Sequence, residues 1–191
     1  MTASIKDNSL RDNNIRLPGD MTQEQLIARI IRVDHAGEYG AKRIYEGQLA
    51  ILGKSESRKT IQEMADVETH HLKTFDNLLV QRSVRPTVLS PIWHIAGFML
   101  GASTALLGEK AAMACTVAVE EVIEKHYYKQ AKQLGNEEDE LRKIIIEFAA
   151  DEASHKNTAL DYDAKDAPLY KPMVTLIKSG TRIAIWLSER F

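Results

Sequence analysis

The chain has 191 residues, 44% of them hydrophobic and 27% charged, with a net charge of −2 at pH 7. That is the composition of an ordinary globular protein able to bury a sizeable core. Scattered Lys and Arg with no basic stripe exclude nucleic acid as a partner, and the lone Cys115 excludes a disulfide framework or a Cys-rich metal knuckle.

Residues 1–20 mix Lys6, Arg11 and Arg16 with Asp7, Asp12 and Asp20 and hold no apolar run. They read as a loose tail, not a secretory signal, in a protein of a reducing, intracellular compartment; a mitochondrial presequence would be poorer in acids. Residues 21–191 read as one all-α domain. From Met21 to Leu52, Leu26, Ile30, Val33, Ile44 and Leu49 recur at helical spacings, Thr22 with Gln25 offers a capping box, and Gly53 closes the segment. Gly37 and Gly40 each cost such a helix about 1 kcal/mol relative to Ala. Because they flank Glu38, they are expected to let another helix or a metal come close.

A second helix is expected from Ser55 or Ser57 to about Arg82, with Ile61, Met64, Glu68, His71 and Phe75 on one face. The stretch 86–108 contains no Asp, Glu, Lys or Arg, and His94 is its one titratable group. From Pro91 it would span about 27 Å as a helix, marginal for a hydrocarbon core of about 30 Å, and Gly97 and Gly101 offer a weak helix-pairing motif. A spanning helix would set Glu38, Glu68 and His71 on the opposite side of a membrane from Glu120, Glu152 and His155. The stretch therefore reads as a crossover between two helical hairpins that dips an apolar surface into one leaflet, with a buried core helix as the alternative.

A further helix from about Glu109 to Leu134 carries Met113, Val117, Glu120, Ile123 and Tyr127, and Gly135 ends it. Another, from near Asn136, aligns Ile145, Phe148, Glu152, His155 and Ala159. After a break at 161–168, Pro172 can open an amphipathic C-terminal helix that either packs on the bundle or lies at a membrane surface.

Two stretches repeat one chemistry. Glu68-Thr69-His70-His71 and Glu152-Ala153-Ser154-His155 each set a carboxylate and an imidazole on one helical face, and Glu38 and Glu120 precede them by 30 and 32 residues. A Glu-x-x-His alone is a weak signal. One Glu from each of two helices and a Glu-x-x-His from each of two more is the ligand inventory of a di-iron or di-manganese site in a four-helix bundle. Four carboxylates would neutralise two divalent ions; pointing into a core without them, they would lose hydration at a cost of several kcal/mol each.

These residues carry a resemblance. Asp34-His35-Ala36-Gly37-Glu38-Tyr39-Gly40-Ala41, Glu68-Thr69-His70-His71-Leu72, Ala118-Val119-Glu120-Glu121 with His126-Tyr127, Asp151-Glu152-Ala153-Ser154-His155 and Leu187-Ser188-Glu189-Arg190 resemble, in order, the demethoxyubiquinone hydroxylases of ubiquinone biosynthesis. The resemblance covers roughly residues 25–191. It implies a ferritin-like four-helix bundle with an added apolar crossover helix and a C-terminal amphipathic helix. It also implies two iron ions per chain, bridged by Glu68 and Glu152, with Glu38 and His71 completing one coordination sphere and Glu120 and His155 the other.

The implied reaction is hydroxylation of a polyprenylated demethoxyubiquinol ring by O2, with reducing equivalents from an external donor, NADH or a reduced quinone. His126 and Tyr127 either relay protons or electrons between quinone and iron or simply pack below the site. The implied surroundings are a membrane surface, a lipid-soluble quinone, a lipid-presenting partner of quinone biosynthesis and a homo-oligomer. No presequence is recognised, which points to the cytoplasmic face of a bacterial inner membrane or, for a trimmed form, the matrix face of the mitochondrial one. Glu121 reads as a solvated or supporting residue, and Glu124 as either hydrogen-bonded to a ligand or ion-paired at the surface with Lys125 or Lys129; His35 and His70 read as supporting or surface residues. A ferritin-like iron-storing protein would share all six ligands but has no need of an uncharged crossover. A metal-free helical membrane scaffold would leave the inward carboxylates without partners.

Overall fold

The computed structural model describes residues 19–135 and 138–191. Most of the expected tail and the Asn136 start of the fourth bundle helix lie outside the described residues. At Thr22 the capping box forms: Gln25 N donates to the Thr22 hydroxyl at 3.1 Å, and Thr22 N donates to Gln25 Oε1 at 2.9 Å. This opens α1 (Gln23–Leu52), followed by α2 (Arg58–Gln81), α3 (Ser90–Leu106), α4 (Glu109–Leu134), α5 (Asp139–Asp161) and α6 (Tyr170–Ser188), with one 3-10 turn at Ala164–Asp166. Among the described residues there is no strand, and the architecture is an all-α ferritin-like bundle.

The apolar stripes of α1, α2, α4 and α5 meet in a core built on Ile30, Ile31, Tyr45, Ile61, Phe75, Met113, Tyr127, Ile145 and Phe148. The strongest pairings are α1 with α3 and α4 with α5, followed by α1 with α2; the two expected hairpins form, and α3 and α6 lie outside them along α1 and α4 respectively. Pro172 falls in the first turn of α6, where its missing N–H costs nothing.

The expectation for the glycines is corrected. A Cβ at Gly37 or Gly40 would meet nothing within 4 Å. Close approach occurs instead where α3 crosses α1: a Cβ at Gly97 would lie 2.9 Å from the Gly40 carbonyl oxygen, one at Gly101 would collide with the backbone of Ile44, and one at Gly47 with the backbone of Phe98. The Gly97 and Gly101 pair thus joins two helices of the same chain.

The buried-core reading of 86–108 fails. Only Gly97, Gly101, Ala102, Thr104 and Ala105 of α3 are buried, while Ile92, Ile95 and Met99 are more than half exposed. No helix of the described residues is long and apolar enough to cross a membrane.

Gly101→Ala should therefore destabilise the fold by about 1–3 kcal/mol, because backbone and not a flexible side chain must move. Gly37→Ala should gain about 0.5–1 kcal/mol from helix propensity. Urea denaturation followed by circular dichroism distinguishes the two, and equal midpoints would reject the backbone contact.

Candidate metal centre

Each bundle helix delivers its share by period. Glu38 comes from α1, Glu68 and His71 from α2, Glu120 from α4, and Glu152 and His155 from α5, and all six are buried. Their donor atoms fall into two groups, Glu38, Glu68, His71 and Glu152 in one and Glu68, Glu120, Glu152 and His155 in the other, with all ligand atoms of a group within 4.8 Å of one another. Glu152 turns a different oxygen to each histidine: Oε1 is 3.4 Å from His71 Nδ1 and Oε2 is 3.4 Å from His155 Nδ1. Glu38 Oε2 stands 3.4 Å from His71 Nδ1, and Glu68 Oε1 stands 3.1 Å from His155 Nδ1.

These contacts are not hydrogen bonds. Both oxygens of Glu68 and Glu152, Glu120 Oε2 and the Nδ1 atoms of His71 and His155 are buried without a hydrogen-bond partner. Donors about 2.1 Å from one ion and at right angles lie about 3 Å apart, which is the spacing found here. Two carboxylates 4.8 Å apart repel by about 3 kcal/mol even at an effective dielectric constant of about 20. The set of oxygens and imidazole nitrogens suits two hard or borderline divalent ions such as iron or manganese.

Around the cluster, the helices exchange hydroxyls. Tyr127 of α4 donates to Glu38 Oε1 on α1, and Tyr45 of α1 donates to Glu120 Oε1 on α4 at 2.7 Å. In each helix the tyrosine follows the glutamate by seven residues, two turns along the same face. Burial first, then nearby carboxylates, hold both phenols well above their ordinary range, so both remain donors. His71 Nε2 meets Asp151 Oδ2 at 3.1 Å, which orients the ring with Nδ1 toward the cluster, and Phe148 stacks on it with centroids 3.7 Å apart.

Of the His126-Tyr127 pair, only Tyr127 reaches the cluster. His126 points instead toward Asp34 of α1, where Gln130 Nε2 donates to its Nε2 at 2.9 Å and to Asp34 Oδ1 at 2.7 Å. Glu124 pairs with Lys156 across to α5, not with Lys125 or Lys129. Glu121 binds Lys125 and Lys178, each at 2.6 Å, and so ties α4 to α6; these lysines pull its carboxyl down to about 2. His35 pairs with Asp76 at 3.0 Å, and His70 is exposed. Sequence reasoning missed Tyr45, Asp151, Asp34 and Gln130; for Tyr45 the shared seven-residue offset was the available signal.

A cavity of about 470 Å3 opens between α1, α3, α4 and α6. Gly37, Gly40 and Ala41, around Glu38, and Val119 and Ile123, around Glu120, line it, as do Leu176 and Ile183 of α6. The last two are also 74% and 59% exposed, so the cavity reaches from the cluster's flank to an apolar rim.

Without metal, the cluster should hold protons. Burial first, then neighbouring carboxylates, hold Glu68 and Glu120 above the carboxylate range. Burial pulls His71 down, but Glu152 and Glu38 outweigh it and raise it to about 10. From ordinary values of about 4.3 for Glu and 6.5 for His up to these raised ones, the folded chain binds more protons than the unfolded one, so stability falls as pH rises. Glu152, lowered to about 2, acts oppositely only in acid. Chelator-treated protein should melt at a higher temperature at about pH 6 than at about pH 8.5. Added Mn(II) should raise the melting temperature more at the higher pH, since ligands must be deprotonated. Scanning fluorimetry measures both; a metal-free protein that is more stable at the higher pH would contradict the electrostatics.

Comparison with known proteins agrees in sequence. A family model described as ubiquinone biosynthesis protein COQ7 matches residues 25–188. The chain is 53% identical over 171 residues to a mitochondrial NADPH-dependent 3-demethoxyubiquinone 3-hydroxylase of Dictyostelium discoideum, covering 88% of this chain and 79% of the relative. It is 50% identical over 176 residues to a 3-demethoxyubiquinol 3-hydroxylase of Rhodospirillum rubrum, covering 92% and 83%, respectively. It is 47% identical over 194 residues to the mitochondrial NADPH-dependent 3-demethoxyubiquinone 3-hydroxylase of Homo sapiens, covering 100% and 89%. The matched region runs from the first turn of α1 to the last residue of α6, and the chain belongs to the COQ7 family of ubiquinone biosynthesis proteins.

Proposed function

We propose that the protein is a di-iron 3-demethoxyubiquinol 3-hydroxylase that uses O2 to hydroxylate a polyprenylated quinol ring. The observation that carries the reading is the junction of two features: a cluster of unpartnered carboxylates and imidazoles, and an apolar cavity running along its flank. Glu68 and Glu152 would be shared by two ions, Glu38 with His71 would hold one of them, and Glu120 with His155 would hold the other. When bound, the pair of irons supplies the electron transfer to O2.

The remaining tasks fall to the chain. Tyr45 and Tyr127 fix one oxygen each of Glu120 and Glu38, which leaves the other oxygen to the ion. Gly37 and Gly40 make room beside Glu38 for a ring. Apolar walls keep water away while the tail leaves between α3 and α6. Two relatives with this chemistry in their names are NADPH-dependent, and a nicotinamide donor is the reductant proposed here. The chain has no Gly-x-Gly-x-x-Gly to hold such a nucleotide in a dinucleotide fold.

A membrane surface is the proposed source of substrate. Ile92, Ile95 and Met99 of α3 and Leu176, Ile183 and Trp186 of α6 are exposed apolar residues on the two helices beside the cavity. Such a face suits a peripheral protein at the inner membrane of a bacterium or mitochondrion, where a lipid-presenting partner or a second copy of the chain could also dock. An iron-storing protein has no use for this cavity.

Elemental analysis of the purified protein should give about two irons per chain, with conversion of a short-chain demethoxyquinol under O2 and NADPH. Iron oxidation without a hydroxylated quinol would favour storage instead. Glu152→Ala should lose both irons and all turnover, and His155→Ala at least one iron; full activity in either variant would reject the ligand assignment. Ile95→Glu with Leu176→Glu should reduce co-sedimentation with phospholipid vesicles while iron content is kept, and unchanged vesicle binding would reject the membrane face.

A further inference from the structure

One turn before Glu38 on α1 lies a second buried carboxyl that belongs to neither donor group. Asp34 is 2% exposed. Its Oδ1 accepts from Gln130 Nε2 at 2.7 Å, and the same amide nitrogen lies 2.9 Å from His126 Nε2, so Gln130 spans two residues whose own separation is 3.9 Å. Asp34 Oδ2 is buried without a partner. On its outer side His126 borders a small polar pocket of about 100 Å3, shared with Arg29, Lys129, Gln133 and Glu189. A polar seam thus enters the bundle beside Glu38, opposite in character to the apolar cavity.

The reaction needs such a seam. Under the hydroxylase reading, on which this inference rests, ring C–H, O2, a hydride from the nicotinamide donor and one proton give ring C–OH, water and the oxidised nicotinamide. The hydride carries two electrons and one proton; the other proton comes from solvent in every turnover. The apolar cavity is a poor route for it, because its hydroxyls are already engaged: Ser179 donates to Thr175 O at 2.9 Å, Thr181 to Ile177 O at 2.9 Å, and Ser188 accepts from Trp93 Nε1 at 3.0 Å. The link from His71 to the half-exposed Asp151 ends on an imidazole whose other nitrogen faces the cluster. It orients a ring and delivers nothing.

We propose that Asp34 and His126, held in register by Gln130, carry the solvent proton from the polar pocket to the site, with Gln130 as a positioning residue. Burial, with smaller contributions from Glu38 and Glu189, holds the Asp34 carboxyl well above its usual range despite the Gln130 bond. Burial, Lys129 and Arg29 push His126 down to about 4, so its Nε2 is free to accept from Gln130. Tyr127, which donates to Glu38, also lies near enough to Asp34 for that carboxyl to help raise its hydroxyl.

The test uses the iron-loaded enzyme with a short-chain demethoxyquinone, NADPH and O2, assayed in H2O and in D2O. Asp34→Asn should keep two irons, the melting temperature and KM, but lose about tenfold or more in kcat with an enlarged solvent isotope effect, and Asp34→Glu should restore most of the rate. Independently of turnover, nitrogen NMR of histidine-labelled protein should place the His126 proton on Nδ1, and Gln130→Leu should abolish the hydrogen-bonded Nε2 signature. An unchanged kcat and isotope effect in Asp34→Asn, loss of iron in that variant, an unaltered His126 signature in Gln130→Leu, or an isotope effect that responds to Asp151→Asn instead would each overturn the proposal. A wild-type enzyme that forms no hydroxylated quinone would instead reject the hydroxylase reading itself.

Discussion

Mutual repulsion among four buried carboxylates is the constraint to which the rest of the molecule answers. Glu38, Glu68, Glu120 and Glu152 are each at most 1% exposed, and they face one another instead of lysines or arginines. No packing of hydrocarbon around them offsets that cost; only protons or cations between them do. The bundle supplies what keeps such an arrangement in place: long helices that fix the spacing, Phe148 and Phe75 packed against the histidine and tyrosine that touch the cluster, and two phenols that neutralise one oxygen each.

The hydroxyl exchange shows the chain as two related halves more clearly than the donor residues do. A glutamate with a tyrosine two turns further on occurs in α1 and again in α4, and each helix completes the other's carboxylate. The symmetry is imperfect where function differentiates the halves. His71 has Asp151 on its outer nitrogen, whereas the corresponding position before Glu68 is Val67, which has no acceptor side chain to offer His155. An imidazole oriented by a carboxylate is the better-held donor, so the two histidines would not serve a cation equally.

Much of this was legible in the sequence, for physical reasons. A period of 3.6 with Glu and His on the apolar face marks the helices that meet at the cluster, and Thr22 with Gln25 marks where α1 begins. The uncharged run 86–108 stood out because nothing else in the chain lacks charge for so long. What was not legible depends on which helices cross. Nothing local distinguishes Gly37, which opens on a cavity, from Gly101, which is pressed on Ile44. Likewise, Asp34 and Gln130 lie 96 residues apart and become neighbours only when α1 meets α4, and the partner of Glu124 sits on α5 instead of one turn along its own helix.

The attachment of the two outer helices has a mechanical corollary. Through its glycines α3 rests directly on the backbone of α1, and through the pair of Lys178 with Glu121 α6 is fastened to α4. Glu38 rides on α1 and Glu120 on α4, while the start of α3 and the end of α6 are joined by Trp93 to Ser188 and by Thr87 to the Phe191 carbonyl. The outer pair is therefore closed at one end by those bonds and fastened to α1 and α4, so the helices that carry the two carboxylates are strapped together from outside as well as by their own packing.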